Sequence, residues 1–215
     1  MSPSPEDPSR DSRSVCSPKP ENAGGEARTS TAAQEFSSEE RALLLKLAHE
    51  AIAAAVEGRP HSPTPPSPHL AQPRGAFTTI YHRGDLRGCV GYVLPVHPLF
   101  QTVAETARSA ALEDTRFWPV TREELPELAV SLSILSPLKP IQPEEVEIGR
   151  HGLLVSLGSH RGLLLPQVPA EHGWDRITFL EHTCRKAGLP VNAWQKGAKL
   201  EAFTAEVFGD QGAEG

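Results

Sequence analysis

The sequence predicts an α+β fold in which helices cover a mainly antiparallel β-sheet. A β-hairpin pattern, an amphipathic helix pattern and a further strand pattern occur in this order twice along the chain. Both hairpins also carry Arg-Gly just after the turn, as Arg87-Gly88 and Arg161-Gly162. We therefore predict a duplicated β-β-α-β unit that forms a two-part domain.

Composition and charge limit the class of protein. The 215 residues suit one domain of ordinary size with some additional sequence, and the net charge of −6 argues against general nucleic-acid binding. The widely spaced Cys16, Cys89 and Cys184 argue against a disulfide framework and are typical of a reducing compartment. We find no signal-peptide pattern and no apolar run of membrane-spanning length. We therefore expect a cytoplasmic protein without membrane contact.

The two ends of the chain differ from its middle. Residues 1–36 are rich in Ser, Pro, Glu and Gly and contain almost no large apolar side chains, so we predict a disordered tail. The folded domain is predicted over 37–209, and a flexible C-terminus over 210–215.

The first ordered element is predicted to be a helix. Ser37 and Glu40 form a capping-box pattern, and Gly58 ends the helical periodicity. The predicted buried face consists of Leu44, Leu47, Ala48, Ala51 and Ala55. A proline-rich segment over 59–73 follows, which we expect to be an extended, exposed loop.

A hairpin, a helix and a strand are predicted next. Strand-forming residues over 77–81, turn residues over 83–85 and a return arm over 86–94 indicate the hairpin. Pro98 opens a helix pattern, and the alternation over 128–135 predicts a strand with one buried face.

The second half of the chain repeats this order. Strands over 153–157 and 161–166 form the second predicted hairpin, and strand 203–208 closes the fold. Between them lies a predicted helix over 174–187, whose buried face is formed by Ile177, Leu180 and Cys184.

The hexad over residues 86–91, Leu-Arg-Gly-Cys-Val-Gly, is the densest group of chemically special residues. Gly88 and Gly91 remove side chains where a ligand or another part of the backbone comes close. Cys89 is either a nucleophile whose pKa Arg87 lowers from the same strand face, or a small buried hydrophobic residue.

Arg87 also has two interpretations. Its planar guanidinium suits a phosphate or carboxylate ligand. The alternative is an ion pair with a carboxylate nearby in sequence, of Asp85, Glu113 or Asp114. If Cys89 is a nucleophile it needs a base, for which His82 and His151 are the candidates.

A second polar cluster follows the helix pattern that Pro98 opens. Asp114, Arg116 and Phe117 form either part of a ligand cleft or a turn that an ion pair holds together. His151-Gly152 and Gln167 are either polar ends of a cleft or turn residues. No motif indicates a metal site or a nucleotide-binding loop, and the sequence leaves the identity of any cofactor open.

The hexad resembles the LRGCIG hallmark of the AMMECR-one domain family, also called AmmeMemoRadiSam system protein A. Val90 stands where the hallmark has isoleucine, and Thr115 stands where proline is common. The resemblance covers about residues 38–209 and continues through the motifs at 114–117, 133–135, 149–152, 162–168, 186–189 and 194.

The resemblance implies a two-part α+β domain with an internal duplication. Prokaryotic members of the family are associated with a Memo-like protein and a radical SAM protein, so the resemblance implies one component of a modification or small-molecule pathway. The hexad is the suspected functional site of the family. The family has no established reaction, so the resemblance does not say whether Cys89 reacts.

Three functions remain open. The first is an enzyme component with Cys89 as its catalytic residue and a small anionic ligand bound by Arg87, Gly88, Gly91, Asp114 and Arg116. The second is a non-catalytic adaptor that positions a Memo-like or radical SAM partner. The third is a nucleic-acid-binding module, suggested by Arg83, Arg87, Arg150, Arg161, Arg185 and Lys186, although the acidic net charge argues against it.

Overall fold

The computed structural model describes residues 13–15 and 35–211. The strands are β1 (Arg13–Val15), β2 (Ala76–His82), β3 (Asp85–Tyr92), β4 (Leu128–Leu135), β5 (Lys139–Pro140), β6 (Gly152–Leu157), β7 (His160–Leu164), β8 (Lys199–Phe203) and β9 (Ala205–Gly209). The α-helices are α1 (Ser38–Val56), α2 (Leu99–Leu112), α3 (Gln167–Glu171) and α4 (Arg176–Lys186). Short 3₁₀ helices lie at Leu125–Glu127, Pro143–Glu145 and Ala193–Gln195.

The α+β class is confirmed. The described residues form two compact units, each with its own antiparallel sheet and helices. Unit 1 comprises 13–15, 35–135 and 207–211, and unit 2 comprises 136–206.

In unit 1 the strand order is β1-β3-β2-β4-β9, and α1 and α2 pack together on one face of the sheet. The predicted capping box starts α1, because the Ser37 hydroxyl accepts the Glu40 N–H at 3.2 Å and the Glu40 carboxylate accepts the Ser37 N–H at 3.1 Å. Thr78 and Thr106 form a buried hydrogen bond of 2.8 Å between β2 and α2. The core beneath the helices includes Leu44, Ile52, Ile80, Val90, Leu99, Val103, Val130, Leu132 and Ile134.

The turn of the first hairpin positions the hexad. Arg83 and Gly84 both have positive φ, 55° and 88°, which is the geometry of a two-residue type I′ turn. This turn matches the right-handed twist of the two strands and pairs His82 of β2 with Asp85 of β3.

A β-bulge at Arg87 then shifts the register by one residue, so that Thr79 pairs with Cys89. Because the bulge interrupts the alternation of side chains, the expectation that Arg87 and Cys89 share a regular strand face was wrong.

In unit 2 the strand order is β5-β8-β6-β7, and α4 packs on β6 and β7. Asp175 caps α4, because its carboxylate accepts the Thr178 N–H at 2.7 Å. The core of the unit includes Val146, Leu153, Val155, Phe179, Leu180, Cys184 and Leu200.

The two units share a strand order. In each, the first strand of the hairpin is central, its hairpin partner lies on one side and the strand after the helix lies on the other: β3-β2-β4 and β7-β6-β8. The Arg-Gly pairs also have matching positions, because a Cβ on Gly88 would collide with the Ala110 carbonyl of α2 and one on Gly162 with the Ala187 backbone after α4. A common ancestry of the two units stays a prediction.

Four details of the predicted elements were wrong. The segment 59–73 is not an extended, exposed loop throughout, because Ser67 and His69 start hydrogen-bonded turns and Leu70 is buried in the core of unit 1. The predicted strand over 203–208 is two strands, because the chain leaves β8 at Thr204 and β9 joins the other sheet. Ile177 is exposed, since α4 turns Phe179 towards the core instead. Gln167–Glu171 forms a short helix that no sequence pattern indicated.

Most of the predicted tail, 1–12 and 16–34, lies outside the described residues, as do residues 212–215 of the predicted flexible C-terminus. The disorder of both segments stays a prediction. Residues Arg13–Val15 pair with β3, and Phe36 is buried in the core of unit 1. Among the described residues, no helix has both the length and the apolar character required to cross a membrane.

Candidate functional site

Both glycines of the hexad are required for packing within unit 1. Gly88 lets the backbone of β3 approach α2, as described above. Gly91 lies beneath the ring of Phe77 on β2, and a Cβ at this position would collide with that ring. The close approaches predicted at these glycines are therefore contacts with the protein itself.

Arg87 is a half-buried side chain that holds a loop. Its Nε donates to Glu124 Oε1 at 2.7 Å and its Nη2 to Glu124 Oε2 at 3.1 Å. The same guanidinium donates to two main-chain carbonyls, of Trp118 at 2.7 Å and Pro119 at 3.2 Å. Its partner is thus Glu124, which is 37 residues distant in sequence, and not one of the three nearby carboxylates considered above.

The pKa of Glu124 reflects this arrangement. The hydrogen bonds from Arg87 lower it from 4.5 to about 2, against the opposing effect of burial, and the Thr121 N–H contributes in the same direction. The charged form of Glu124 is therefore the form that the fold selects. The fork-to-fork geometry of guanidinium and carboxylate is the strongest type of ion pair available to Arg.

Cys89 is buried, with 1% of its surface exposed. Its Sγ lies 3.2 Å from the Thr79 hydroxyl across the β2–β3 pair. Its N–H donates to Asp114 Oδ2 at 2.8 Å. Of the two candidate bases, His82 lies near Glu124 and Glu127, at 3.9 Å and 3.3 Å, and His151 belongs to unit 2.

Asp114 joins the segment that follows α2 to strand β3. In addition to the Cys89 N–H, its carboxylate accepts the Arg116 N–H at 3.2 Å, Arg116 Nε at 3.0 Å and Arg116 Nη2 at 2.7 Å. Burial alone would raise the pKa of Asp114, but these hydrogen bonds outweigh it and hold the pKa below its usual range. Asp114 is thus an ionised, buried and saturated hydrogen-bond acceptor.

We call residues 114–119 the tryptophan loop. Asp114 fixes its first residues, Arg87 binds the carbonyls of its last two, and the Val120 N–H that follows it donates to Ala111 at 2.8 Å. The Trp118 side chain is nevertheless 88% exposed. A fixed main chain therefore presents a large aromatic side chain to solvent.

The structure brings four of the six predicted site residues together at the tryptophan loop: Arg87, Cys89, Asp114 and Arg116. Gly88 lies between Arg87 and Cys89 on β3 and faces Ala110 of α2. Gly91 lies further along β3 against Phe77. Sequence reasoning missed Glu124 and Trp118, although a tryptophan in a polar loop next to proline was a usable signal. Within residues 13–15 and 35–211, no group of three His, Cys, Asp or Glu side chains could hold a metal ion.

Comparisons with known proteins agree on one family. The AMMECR1 family model matches residues 45–208. Protein MK0488 of Methanopyrus kandleri is 41% identical over 194 residues, which is 85% of this chain and 94% of that protein. A protein of Thermococcus gammatolerans is 44% identical over 184 residues, 78% of this chain and 89% of that protein.

A solved structure is similar as well. The crystal structure of the uncharacterized protein PH0010 from Pyrococcus horikoshii has a TM-score of 0.66 and 38% sequence identity to this chain. The similarity covers 79% of this chain and 90% of that chain.

Proposed function

From the premise that the chain belongs to the AMMECR1 family, we propose that it is a non-catalytic adaptor that docks a partner protein through the tryptophan loop. The observation that carries the proposal is the contrast within this loop. Its main chain is held by charge-assisted hydrogen bonds from Arg87 and to Asp114, whereas the Trp118 side chain projects into solvent.

The energetics favour this use of Trp118. Burial of a tryptophan side chain removes roughly 150–250 Å² of surface from water, which is worth about 4 kcal/mol or more at about 25 cal/mol per Å². Tryptophan is accordingly enriched among the residues that dominate protein–protein binding. Because the loop is already ordered, a partner gains this contact without first immobilising the main chain.

The same contacts weaken the enzyme hypothesis. A nucleophilic thiol has to reach its substrate, but Cys89 is almost completely buried in the sheet. An anion at Arg87 would have to displace Glu124 and two main-chain carbonyls from the guanidinium. The hexad is thus best explained as the support of the tryptophan loop.

The nucleic-acid hypothesis receives no support from the basic residues that suggested it. Arg83 pairs with Glu127, Arg87 with Glu124 and Arg150 with Glu147. Half of the six positive charges are therefore neutralised within the protein and do not form a basic surface.

For the partner, we propose the Memo-like protein or the radical SAM protein that the family resemblance implies. We expect the partner protein to have an apolar pocket that accepts the indole side chain of Trp118. To test this, the Memo-like protein and the radical SAM protein encoded in the same genome are each purified. The affinity of each for the full chain is measured by isothermal titration calorimetry. One of them should bind, and Trp118→Ala should weaken binding about thirtyfold or more.

Val207→Ala is the matched control, because Val207 is a 63% exposed apolar residue of unit 1 outside the loop. This variant should bind like the wild type, and so should Cys89→Ser. Arg87→Lys should weaken binding, because an ammonium cannot reproduce the planar fork that holds the loop. Equal affinity of Trp118→Ala and wild type would refute the docking site, and absence of binding by either protein would refute the choice of partner.

A further inference from the structure

Unit 2 contains a cavity of about 520 Å³ beside the start of β6. This volume lies in the range of small-molecule sites. Its apolar walls come from Pro137, Pro140, Ile141 and Phe203. Phe203 can lie against the strand because Gly152 has no side chain, and a Cβ there would collide with the ring.

His151 enters this cavity in a fixed orientation. Its Nδ1 accepts the Glu147 N–H at 3.1 Å, so the proton of the neutral ring is on Nε2 and that nitrogen is a donor. Burial lowers the pKa of His151, which favours the neutral ring. Gly149, with φ of 80°, makes the turn that places this side chain.

The cavity is lined by two charged residues that pair with each other and by two that do not form ion pairs with described residues. Arg150 donates to both oxygens of Glu147, at 2.9 Å and 3.0 Å, so these two charges compensate each other. Lys139 and Glu145 also line the cavity. Neither has an ion-pair partner among the described residues, although one oxygen of Glu145 accepts the Gln142 N–H at 2.8 Å. One positive and one negative charge are therefore left for a ligand.

We propose that this cavity binds a small zwitterion with an apolar side chain, of the amino-acid class. Lys139 and His151 Nε2 receive its carboxylate, and Glu145 receives its ammonium group. Ile141, Pro137 and Pro140 contact its side chain above the buried ring of Phe203. The cavity around Arg59 and Arg108 in unit 1 offers no such pair, because those arginines are bound to Glu57 and Glu113. The site is independent of the docking function proposed for Trp118.

L-Phenylalanine is the probe for this site, followed by amide chemical shifts of the isotope-labelled full chain. Saturable shifts at His151 and Gly152 are expected below about 10 mM, with binding at least about tenfold weaker for hydrocinnamate and for phenethylamine. These compounds lack the ammonium and the carboxylate, respectively. Lys139→Met and Glu145→Gln should each weaken L-phenylalanine binding about tenfold. The glutamine retains a carbonyl for the Gln142 N–H, so the local turn is preserved.

Lys196→Met is the matched control, because it removes an exposed lysine of unit 2 outside the cavity. It should bind like the wild type, and so should Trp118→Ala, which separates this proposal from the docking function. Absence of shifts at His151 and Gly152 would overturn the site. Tight binding of hydrocinnamate together with full binding by Glu145→Gln would overturn the zwitterion in favour of a simple anion.

Discussion

The ion pair between Arg87 and Glu124 can be measured with a double-mutant cycle of Arg87→Gln and Glu124→Gln. Only 16% and 18% of these side chains are exposed, and three hydrogen bonds fix the guanidinium in addition to the Nε–Oε1 contact. A fall in the pKa of Glu124 from 4.5 to about 2 would correspond to an upper bound of about 3 kcal/mol. Because solvent screens a pair at this depth in part, we expect a coupling free energy of about 2 kcal/mol.

The assay is urea unfolding at pH 7, followed by circular dichroism and tryptophan fluorescence, for wild type, both single variants and the double variant. The neighbouring pair of Arg83 and Glu127 is the control, since 71% and 43% of those side chains are exposed. The corresponding cycle at that pair should give no measurable coupling.

The contribution of Glu124 to the free energy of unfolding should depend on pH in a defined direction. The folded-state pKa of Glu124 lies below its unfolded value, so its stabilising contribution is complete above pH 4.5 and is lost as the pH falls towards 2. The difference in unfolding free energy between wild type and Glu124→Gln should shrink over this range. Equal coupling for the two ion pairs, or a difference that does not depend on pH, would refute this explanation of the hexad.

Two further predictions concern packing and the thiols. Gly88→Ala should destabilise the protein by about 2 kcal/mol or more, because its Cβ would collide with the Ala110 carbonyl, and Gly162→Ala should have a similar effect in unit 2; urea unfolding measures both. Cys89 and Cys184 are buried and should react with iodoacetamide at least about a hundredfold more slowly in the native protein than in urea, as followed by mass spectrometry of the labelled peptides. Fast native labelling of Cys89 would restore the nucleophile hypothesis.

Local sequence patterns were sufficient for much of the fold. The capping box at Ser37, the strand Leu128–Leu135 and both hairpins follow from interactions between residues that are close in sequence. The break at Thr204 could not be predicted in this way, since either half of 203–208 has strand character and only tertiary pairing assigns the halves to different sheets.

The candidate site shows the same limit. Sequence reasoning found the hexad and Asp114, because glycine, arginine, cysteine and aspartate stand out in a strand or after a helix. It could not identify Glu124 as the partner of Arg87, because the two residues are far apart in sequence. The segment between α2 and Glu124 is positioned by a tertiary contact, the hydrogen bond from the Val120 N–H to Ala111 at the end of α2. Exposure of Trp118 is likewise a property of the folded loop, and composition alone favours burial of tryptophan.

Fluorine NMR of the fluorotryptophan-labelled chain tests the central proposal most directly. The chain has three tryptophans, and Trp118→Phe assigns the resonance of the loop. In the free protein this resonance should show the solvent isotope shift of an exposed indole. When the proposed partner protein is added, the Trp118 resonance should move and lose its solvent isotope shift. The Trp174 and Trp194 resonances should stay unchanged. A Trp118 resonance that remains solvent-exposed in the complex would contradict docking through the tryptophan loop.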